Sequence, residues 1–542
     1  MPRNGGSVCS GIFNIDTRVF KWFVRDGELI HHKALPADAN NYLSEYYPVL
    51  NPELNHALGF PPIQPKITDT KYKDYFVAIN QLLTKYLNTP EFLAIIPHSK
   101  QWHMLEEEAV CSTSQGSNLL KFGLGTHTDP YEGLKAYKPC VPVPEGHYKF
   151  FIICHESDKD TAKLFNRYSQ KKEGFINFKQ FLSLPIVYDH NMHILFKDML
   201  NPLPEIEAKL SITELHPDTH YLAIFISPYN KFEADPAKKK IYYDVKRLLL
   251  DYKISSQVIY NQNINSENFK YSVCNIAVAV LAKLGGIPWR LDRELNDELI
   301  VGIGAFRTKK FNRRYIGSTF CFSNDGDFKG FDSFPADNTF LLAGEIRKAV
   351  EKYRQPNKKA KRIIIHFYKR MSKKEIDPII KQLRAIKHDI PVIIITVNKT
   401  ASRDMVLFES DYAFKMPYSG TYVSTGNDNY ILCNNVRYKP VMNGEAGLTT
   451  NGVESVAPEK ELKSYPLPIK LHIQSTDPGI LADPEQIKLF IDQVYQFSRM
   501  YWKSVSPQSM PVTTKYPELV AQAFPHFKNG IPPFGKNNMW FL

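Results

Sequence analysis

From His147 onwards, short runs dense in β-branched and aromatic residues alternate with longer runs of helical spacing. "HYKFFIICHE", "HYLAIFISPYN" and "SSQVIYNQNI" read as strands; "KKKIYYDVKRLLLDYK" and "CNIAVAVLAKLGG" read as helices. Such alternation implies a small α/β domain over about residues 140–290. A second α/β unit follows. "ELIVGIGAF" and "YIGSTFCFSNDGDFKGF" are predicted strands joined as a hairpin by the basic turn "RTKKFNRR". "LLAGEIRKAVEKYR" is a predicted helix, while "RIIIHFYK" and "IPVIIITVNK" are predicted strands. In "SKKEIDPIIKQLRAI" the residues Ile376, Ile379, Ile380, Leu383 and Ile386 fall on one helical face, with Ser372 and Glu375 spaced as a capping box. "DPEQIKLFIDQVYQFSRMYWKSV" has a long helical pattern, and the chain finishes on the apolar "NNMWFL". Upstream, "YKDYFVAINQLLTKYL" reads as an amphipathic helix and "NPELNHALGFPPIQPK" as a proline-broken connector. "FGLGTHTDPYEGLKAYKPCVPVPEG" reads as a loop-rich boundary.

Composition narrows the function classes. The formal net charge of +12 suits a polyanionic partner such as nucleic acid, although solvated surface lysines account for a surplus as well. No run approaches the ~18 apolar residues of a membrane span, and the first residues lack a secretory core, so a cytoplasmic protein without membrane attachment is expected. Seven scattered cysteines with no CxxC pair point to reduced thiols, not to a disulfide framework or a zinc site. "SNDGDF" offers Asp325 and Asp327 but lacks the length and closing glutamate of a calcium loop, so a hairpin turn is expected. His147, His155, His190 and His193 have no zinc spacing, and there is no Walker loop or nucleophile elbow.

The chemistry concentrates around two lysines. Tyr242 and Lys246 share a helical face at i and i+4, and Gln257 follows on the next strand. Asn275 and Lys283 lie eight apart on the helix that ends at a Gly-Gly turn. Together they offer an aromatic ring, amide donors and two cations, a set suited to a terminal nucleotide with its phosphate. Ordinary surface lysines beside a half-buried tyrosine are the alternative.

"YYDVKRLLLDYKISSQVI" followed by "NIAVAVLAKLGGIPW" is similar to the MID domain of Argonaute proteins, which grips the 5′ phosphate of a guide strand. The resemblance puts guide-end binding on Tyr242, Lys246, Gln257 and Lys283, with the tyrosine stacking on the first base; Asn275 joins this site from its place on the same helix as Lys283. Ala279 stands where eukaryotic members carry a further lysine. Prokaryotic members often supply that charge with a divalent metal, so the resemblance implies Mg2+ held at the phosphate by the C-terminal carboxylate of Leu542. It continues through the PIWI domain. The implied architecture is α/β: an N-terminal α+β segment over 1–118, a linker over 119–146, a Rossmann-like MID domain over 147–290 and a ribonuclease-H-like PIWI domain over 291–542.

An active PIWI domain holds two divalent metals on carboxylates, which suit hard cations and the oxygens of an in-line displacement. At the matching positions stand Gly304 in "LIVGIGAF" and Lys369 in "RIIIHFYKRM". A lysine repels the ion that the chemistry needs. Glu518 matches the last acidic position, and Glu345 is a loose match for the remaining one. The resemblance therefore implies a short prokaryotic Argonaute that does not cut. It would bind a 5′-phosphorylated guide RNA and pair it with invading target DNA in antiviral defence. The approximately 120 residues before MID leave no room for a PAZ domain. Short members typically work with a partner carrying an Argonaute-associated domain fused to a TIR, sirtuin-like or nuclease effector. Two rivals stand beside this expectation: a stand-alone module that blocks foreign DNA by occupancy, and a nuclease with a rearranged site using Glu345 or Glu518.

Overall fold

The computed structural model describes residues 20–36, 45–59, 70–172, 176–183, 187–307, 314–323, 325–335, 339–353, 360–386, 390–398, 405–438 and 467–542, less a few isolated positions within those spans. The basic turn expected between Arg307 and Arg314 falls on 308–313, outside the described residues. Contacts divide the chain into two units, residues 1–67 with 231–239, and residues 68–230 with 240–542.

The first unit contains a three-stranded antiparallel sheet of Trp22–Arg25, Glu28–His31 and Tyr47–Pro48. Its hairpin turns on Asp26 and Gly27, both at positive φ (52° and 82°), as an Asp-Gly hairpin turn requires. Arg25 ties the hairpin to the residues just before the third strand through Glu45 at 2.6 Å and the Tyr46 hydroxyl at 2.7 Å.

In the second unit, strands β1 (His147–His155), β2 (Thr219–Ser227) and β3 (Ser255–Tyr260) form a parallel sheet in the order β3-β2-β1, with Val187–Tyr188 and Ile194–Phe196 also pairing with β1. The strands are buried almost throughout, as expected of a parallel sheet covered on both faces. Helix α1 (Pro236–Asp251) places Ile241, Val245 and Leu249 against Phe151, Ala223 and Phe225 on one face. Helix α2 (Val273–Lys283) places Ala277, Val280 and Leu281 against the opposite face, with Phe150, Leu222 and Ile224. β3 is the edge strand, so one side of its backbone is left without a strand partner.

The second sheet has nine strands. β4 (Glu298–Arg307), β5 (Arg314–Ser323) and β6 (Phe328–Pro335) are antiparallel; β7 (Arg362–Phe367) and β8 (Val392–Asn398) continue parallel to β4. The order β6-β5-β4-β7-β8 is that of a ribonuclease-H-like sheet. Beyond it come β9 (Thr421–Gly426), β10 (Asn429–Leu432) and β11 (Ile469–Ser475), and Val110–Ser112 pairs with β9 at the edge. The segment expected before residue 118 thus supplies a strand to this sheet. Helices α3 (Thr339–Tyr353) and α4 (Lys373–Ala385) cover one face. α4 opens with the expected capping box of Ser372 and Glu375. α5 (Pro484–Phe497) and α6 (Val512–Ala523) cover the other face, in the same core as α2.

Two local expectations shift. α5 stops at Phe497, short of the expected end near Val505, because side chains elsewhere take the backbone groups that a longer helix would use. Trp289 donates to the Arg499 carbonyl at 2.9 Å, and the Tyr516 hydroxyl accepts from Trp502 N and donates to the Met500 carbonyl. The boundary passage also holds a helix, Pro130–Tyr137, whose Asp129 side chain caps Glu132 N at 2.9 Å. Asp325 and Asp327 sit in the turn between β5 and β6 and pair with Arg290.

Candidate nucleic-acid interface

Lys283 reaches the free edge of β3, and Lys246 lies close enough for the two charges to repel. Lys246 rises from the middle of α1 and is 1% exposed. Its ammonium lies 5.1 Å from the Tyr242 ring centre and 5.8 Å from that of Trp540, and donates to the Trp540 carbonyl at 2.5 Å. Lys283 closes α2 and is 2% exposed. Its ammonium donates to Gln257 Oε1 at 2.6 Å and to the Ser256 carbonyl at 2.9 Å, so it satisfies a backbone acceptor on the edge strand.

Neither ammonium has an acidic partner among the described residues. Burial therefore acts unopposed and pulls the Lys246 pKa down to about 7. Lys283 is pushed well below the ordinary lysine value, by burial first, then by the charges of Lys246 and Lys503. Two buried lysines that repel one another would be stabilised by an anion, since a buried charge is costly until it is paired. A phosphate carries charge enough for both. Tyr242 supplies an aromatic face next to them, and burial raises its hydroxyl pKa. Tyr501 is raised to about 12 by burial, then by the charges of Glu518 and Tyr242.

Tyr242, Lys246, Gln257 and Lys283 are therefore brought together. Asn275 is not: at eight residues of helical rise it stands roughly 12 Å from Lys283 along α2, and its Oδ1 accepts from Val505 N at 2.8 Å. Leu542 is buried at 2% exposure, close in sequence to the carbonyl that Lys246 holds. Three contributors escaped the sequence reading. Trp540 acts through a backbone carbonyl, which no side-chain pattern reports. Lys503 lies in a stretch expected to continue α5. Asn538 donates through Nδ2 to both Ser255 Oγ and the Lys283 carbonyl, each at 3.0 Å, and so clasps the C-terminal segment to the end of α2.

The second cluster lies on β4 and α6. Gly304 sits at an irregularity of the β4–β5 pairing. A Cβ built there would lie 2.5 Å from Glu518 N and 2.6 Å from Pro517 Cβ, and one on Gly302 would collide with the Thr513 backbone. The helix thus occupies the space that a side chain at 304 would need. Lys369 is ion-paired with Glu375 at 2.8 Å. Burial would raise the Glu375 carboxyl, but Lys369 and Ser372 outweigh it and hold it below its ordinary value. Glu518 pairs with Lys515 at 3.5 Å and accepts from Gln522; Glu345 pairs with Lys348 at 2.7 Å. His190 and His193 touch at 3.2 Å, but no group of three or more His, Cys, Asp or Glu able to hold a metal occurs among the described residues. Nor, among them, is any helix long and apolar enough to cross a membrane.

Comparison with known proteins supplies the context for both clusters. The Piwi domain model matches residues 234–450. A Piwi protein of Archaeoglobus fulgidus is 26% identical over 442 residues, 76% of this chain and 93% of that protein. An Argonaute of Cereibacter sphaeroides is 23% identical over 336 residues, 57% of this chain but only 41% of its own length. The structure of Clostridium butyricum Argonaute bound to a guide DNA and a 19-mer target DNA superposes with a TM-score of 0.60 at 17% identity, covering 96% of this chain and 66% of that one.

Proposed function

We propose that this Piwi-domain chain, a relative of the prokaryotic Argonautes, binds the 5′-phosphorylated end of a guide strand in the Lys246–Lys283 pocket and pairs the guide with a target that it does not cut. The observation that carries this reading is the pair of buried ammonium groups, partnered only by neutral acceptors. An incoming phosphate would replace weak neutral acceptors with charge-assisted bonds. Tyr242 would stack on the first base, and Gln257 would orient the Lys283 ammonium. The net charge of +12 favours binding along a nucleic-acid backbone, while pairing would supply sequence specificity.

Absence of cutting is supported by Gly304 and Lys369 and by the packing of α6 on β4, which leaves no space for a carboxylate at 304. The finer reading is an RNA guide directed at invading DNA, with recognition switching on an effector-bearing partner in prokaryotic defence. Mg2+ belongs to the same proposal. The described side chains offer no ready-made site, so the ion would take its ligands from guide phosphate, water and a terminal oxygen of Leu542, as a cation that keeps much of its hydration can. There it would neutralise phosphate charge.

Sequencing the nucleic acid that co-purifies with the chain tests the guide assignment, with a short population bearing uniform 5′ phosphates as the expected result. Random degradation fragments would remove the basis for it. For the non-cutting assignment, guide and complementary DNA are incubated with manganese. Intact target is expected; cleavage that disappears in Glu518→Ala would establish the nuclease reading.

A further inference from the structure

From the carboxyl end of β7 into the first turn of α4 runs "KRMSKK", residues 369–374, with four cations in six consecutive positions. The backbone that carries them is firmly held. Met371 is buried at 2% exposure in the core that α3 and α4 share. Ser372 and Glu375 close the capping box, and Thr396 of β8 donates to the Lys369 carbonyl at 3.3 Å. A charge pattern on so fixed a backbone keeps its spacing when a partner arrives. Ile303 pairs with Phe367, so the segment stands beside Gly304 at the end of β4.

Glu375 neutralises one of the four, Lys369, at 2.8 Å. Arg370, Lys373 and Lys374 are exposed and make no ion pair among the described residues, and neither does the next acid along, Asp377. Three unpaired like charges within five residues repel one another. Lys373 and Lys374 also occupy the first two positions of α4, the end of a helix where its dipole disfavours cations. Ordinary solvated surface has no reason to gather charge against both effects, whereas an anion would relieve both. Ser372 and Glu375 already fill the cap, so the side chains and not the helix amides would do the binding. Because all three cations are exposed, they fit a ligand that lies across the surface, such as the phosphate backbone of a strand, better than one enclosed by it.

We propose that Arg370, Lys373 and Lys374 grip target-strand phosphates across the carboxyl end of β7, so that fixed side-chain cations supply there the positive charge that bound metals would supply in a cutting domain. The target is thereby held at a place where it is not cut. That the strand is a guide-paired target rests on the guide-binding reading; contact with a phosphate backbone does not.

Binding of an RNA–DNA heteroduplex, its RNA strand 5′-phosphorylated, to the full chain freed of nucleic acid tests this over a range of salt. Each phosphate contact contributes about 0.7–0.9 to the slope of log affinity against log salt. The triple variant Arg370→Ala, Lys373→Ala, Lys374→Ala should therefore lower the slope by about two to three, and weaken binding about 3- to 100-fold at low salt. Arg370→Lys, Lys373→Arg, Lys374→Arg, which keeps the charges, should retain the wild-type slope. Uncharged methylphosphonates placed singly along the DNA strand should weaken the wild type at a few adjacent positions and leave the alanine variant unaffected there. An alanine variant with the wild-type slope, a charge-keeping variant as weak as the alanine one, or methylphosphonate sensitivity spread evenly along the strand would overturn the proposal. Unchanged heteroduplex binding with lost binding to polyglutamate would assign the patch to an acidic protein instead. The preference for a 5′ phosphate over a 5′ hydroxyl, measured on the same proteins, should not differ between wild type and patch variants. Its absence from the wild type would defeat the guide-end reading and leave the salt slope to decide the patch.

Discussion

Lys246→Met should stabilise the nucleic-acid-free protein at neutral pH while destroying its grip on phosphate. Lys246 is 1% exposed and has no acidic partner among the described residues, so its charge is held at the expense of the fold. The fall of its pKa from 10.5 to about 7 corresponds, at about 1.4 kcal/mol per pH unit, to about 5 kcal/mol of burial cost at pH 7. Methionine fills the same volume without the charge. Against the gain stands the loss of the bond to the Trp540 carbonyl, worth about 1–3 kcal/mol. The net expectation is a variant more stable by about 2–4 kcal/mol at pH 7. The pH dependence sharpens the test. The lysine pKa is lower in the folded than in the unfolded chain, so above about pH 7 the unfolded state binds more protons, and stability rises with pH. From pH 7 to 9 the wild type should therefore gain about 2–3 kcal/mol through this group, and the advantage of the methionine variant should nearly vanish. Urea unfolding of both proteins, followed by tryptophan fluorescence at the two pH values, reads the difference. A methionine variant less stable at pH 7, or a gap that does not change with pH, would refute the idea of an unpaired buried charge.

Four further outcomes follow from the same geometry. Phosphate restores the charged form of Lys246, so affinity for a 5′-phosphorylated guide should fall as pH rises above about 7, by at most about tenfold per unit, as filter binding from pH 7.5 to 9 would read. Gly304→Ala should destabilise the chain by about 1–3 kcal/mol or more in urea unfolding, since its Cβ meets the Glu518 and Pro517 backbone of α6, and Gly304→Asp with Lys369→Asp should not create cleavage in a manganese assay. Asn538→Ala removes the clasp on Ser255 and Lys283 and should cost about 1–3 kcal/mol, measured by the same unfolding.

The sequence was most legible where one residue type does one local job. The β-branched runs at Ile363–Ile365 and Ile393–Ile395 became central strands, and the Ser372–Glu375 spacing became a capping box. Tyr242 and Lys246 met because i and i+4 positions must. Lys283 and Gln257 met because the edge position of β3 leaves its free side open to the end of α2, a fact of sheet order and not of spacing. What stayed hidden depends on distant partners. Asn275 shares a helix with Lys283, yet its amide braces Val505. The Trp540 carbonyl and the Asn538 clasp reach back across more than 250 residues of chain. The capped helix at Pro130–Tyr137 did carry a readable start signal, Asp129-Pro130 with Glu132, obscured by the surrounding glycines and prolines.

The most direct test of the central claim compares 5′-phosphorylated and 5′-hydroxyl guides of one sequence for binding to the wild type and to the Lys246→Ala, Lys283→Ala double variant. Wild type should prefer the phosphorylated guide by about 10- to 150-fold for each charge-assisted contact made, and the double variant should show no preference. Equal binding of both guides by the wild type, or a preference that survives loss of both lysines, would contradict the account.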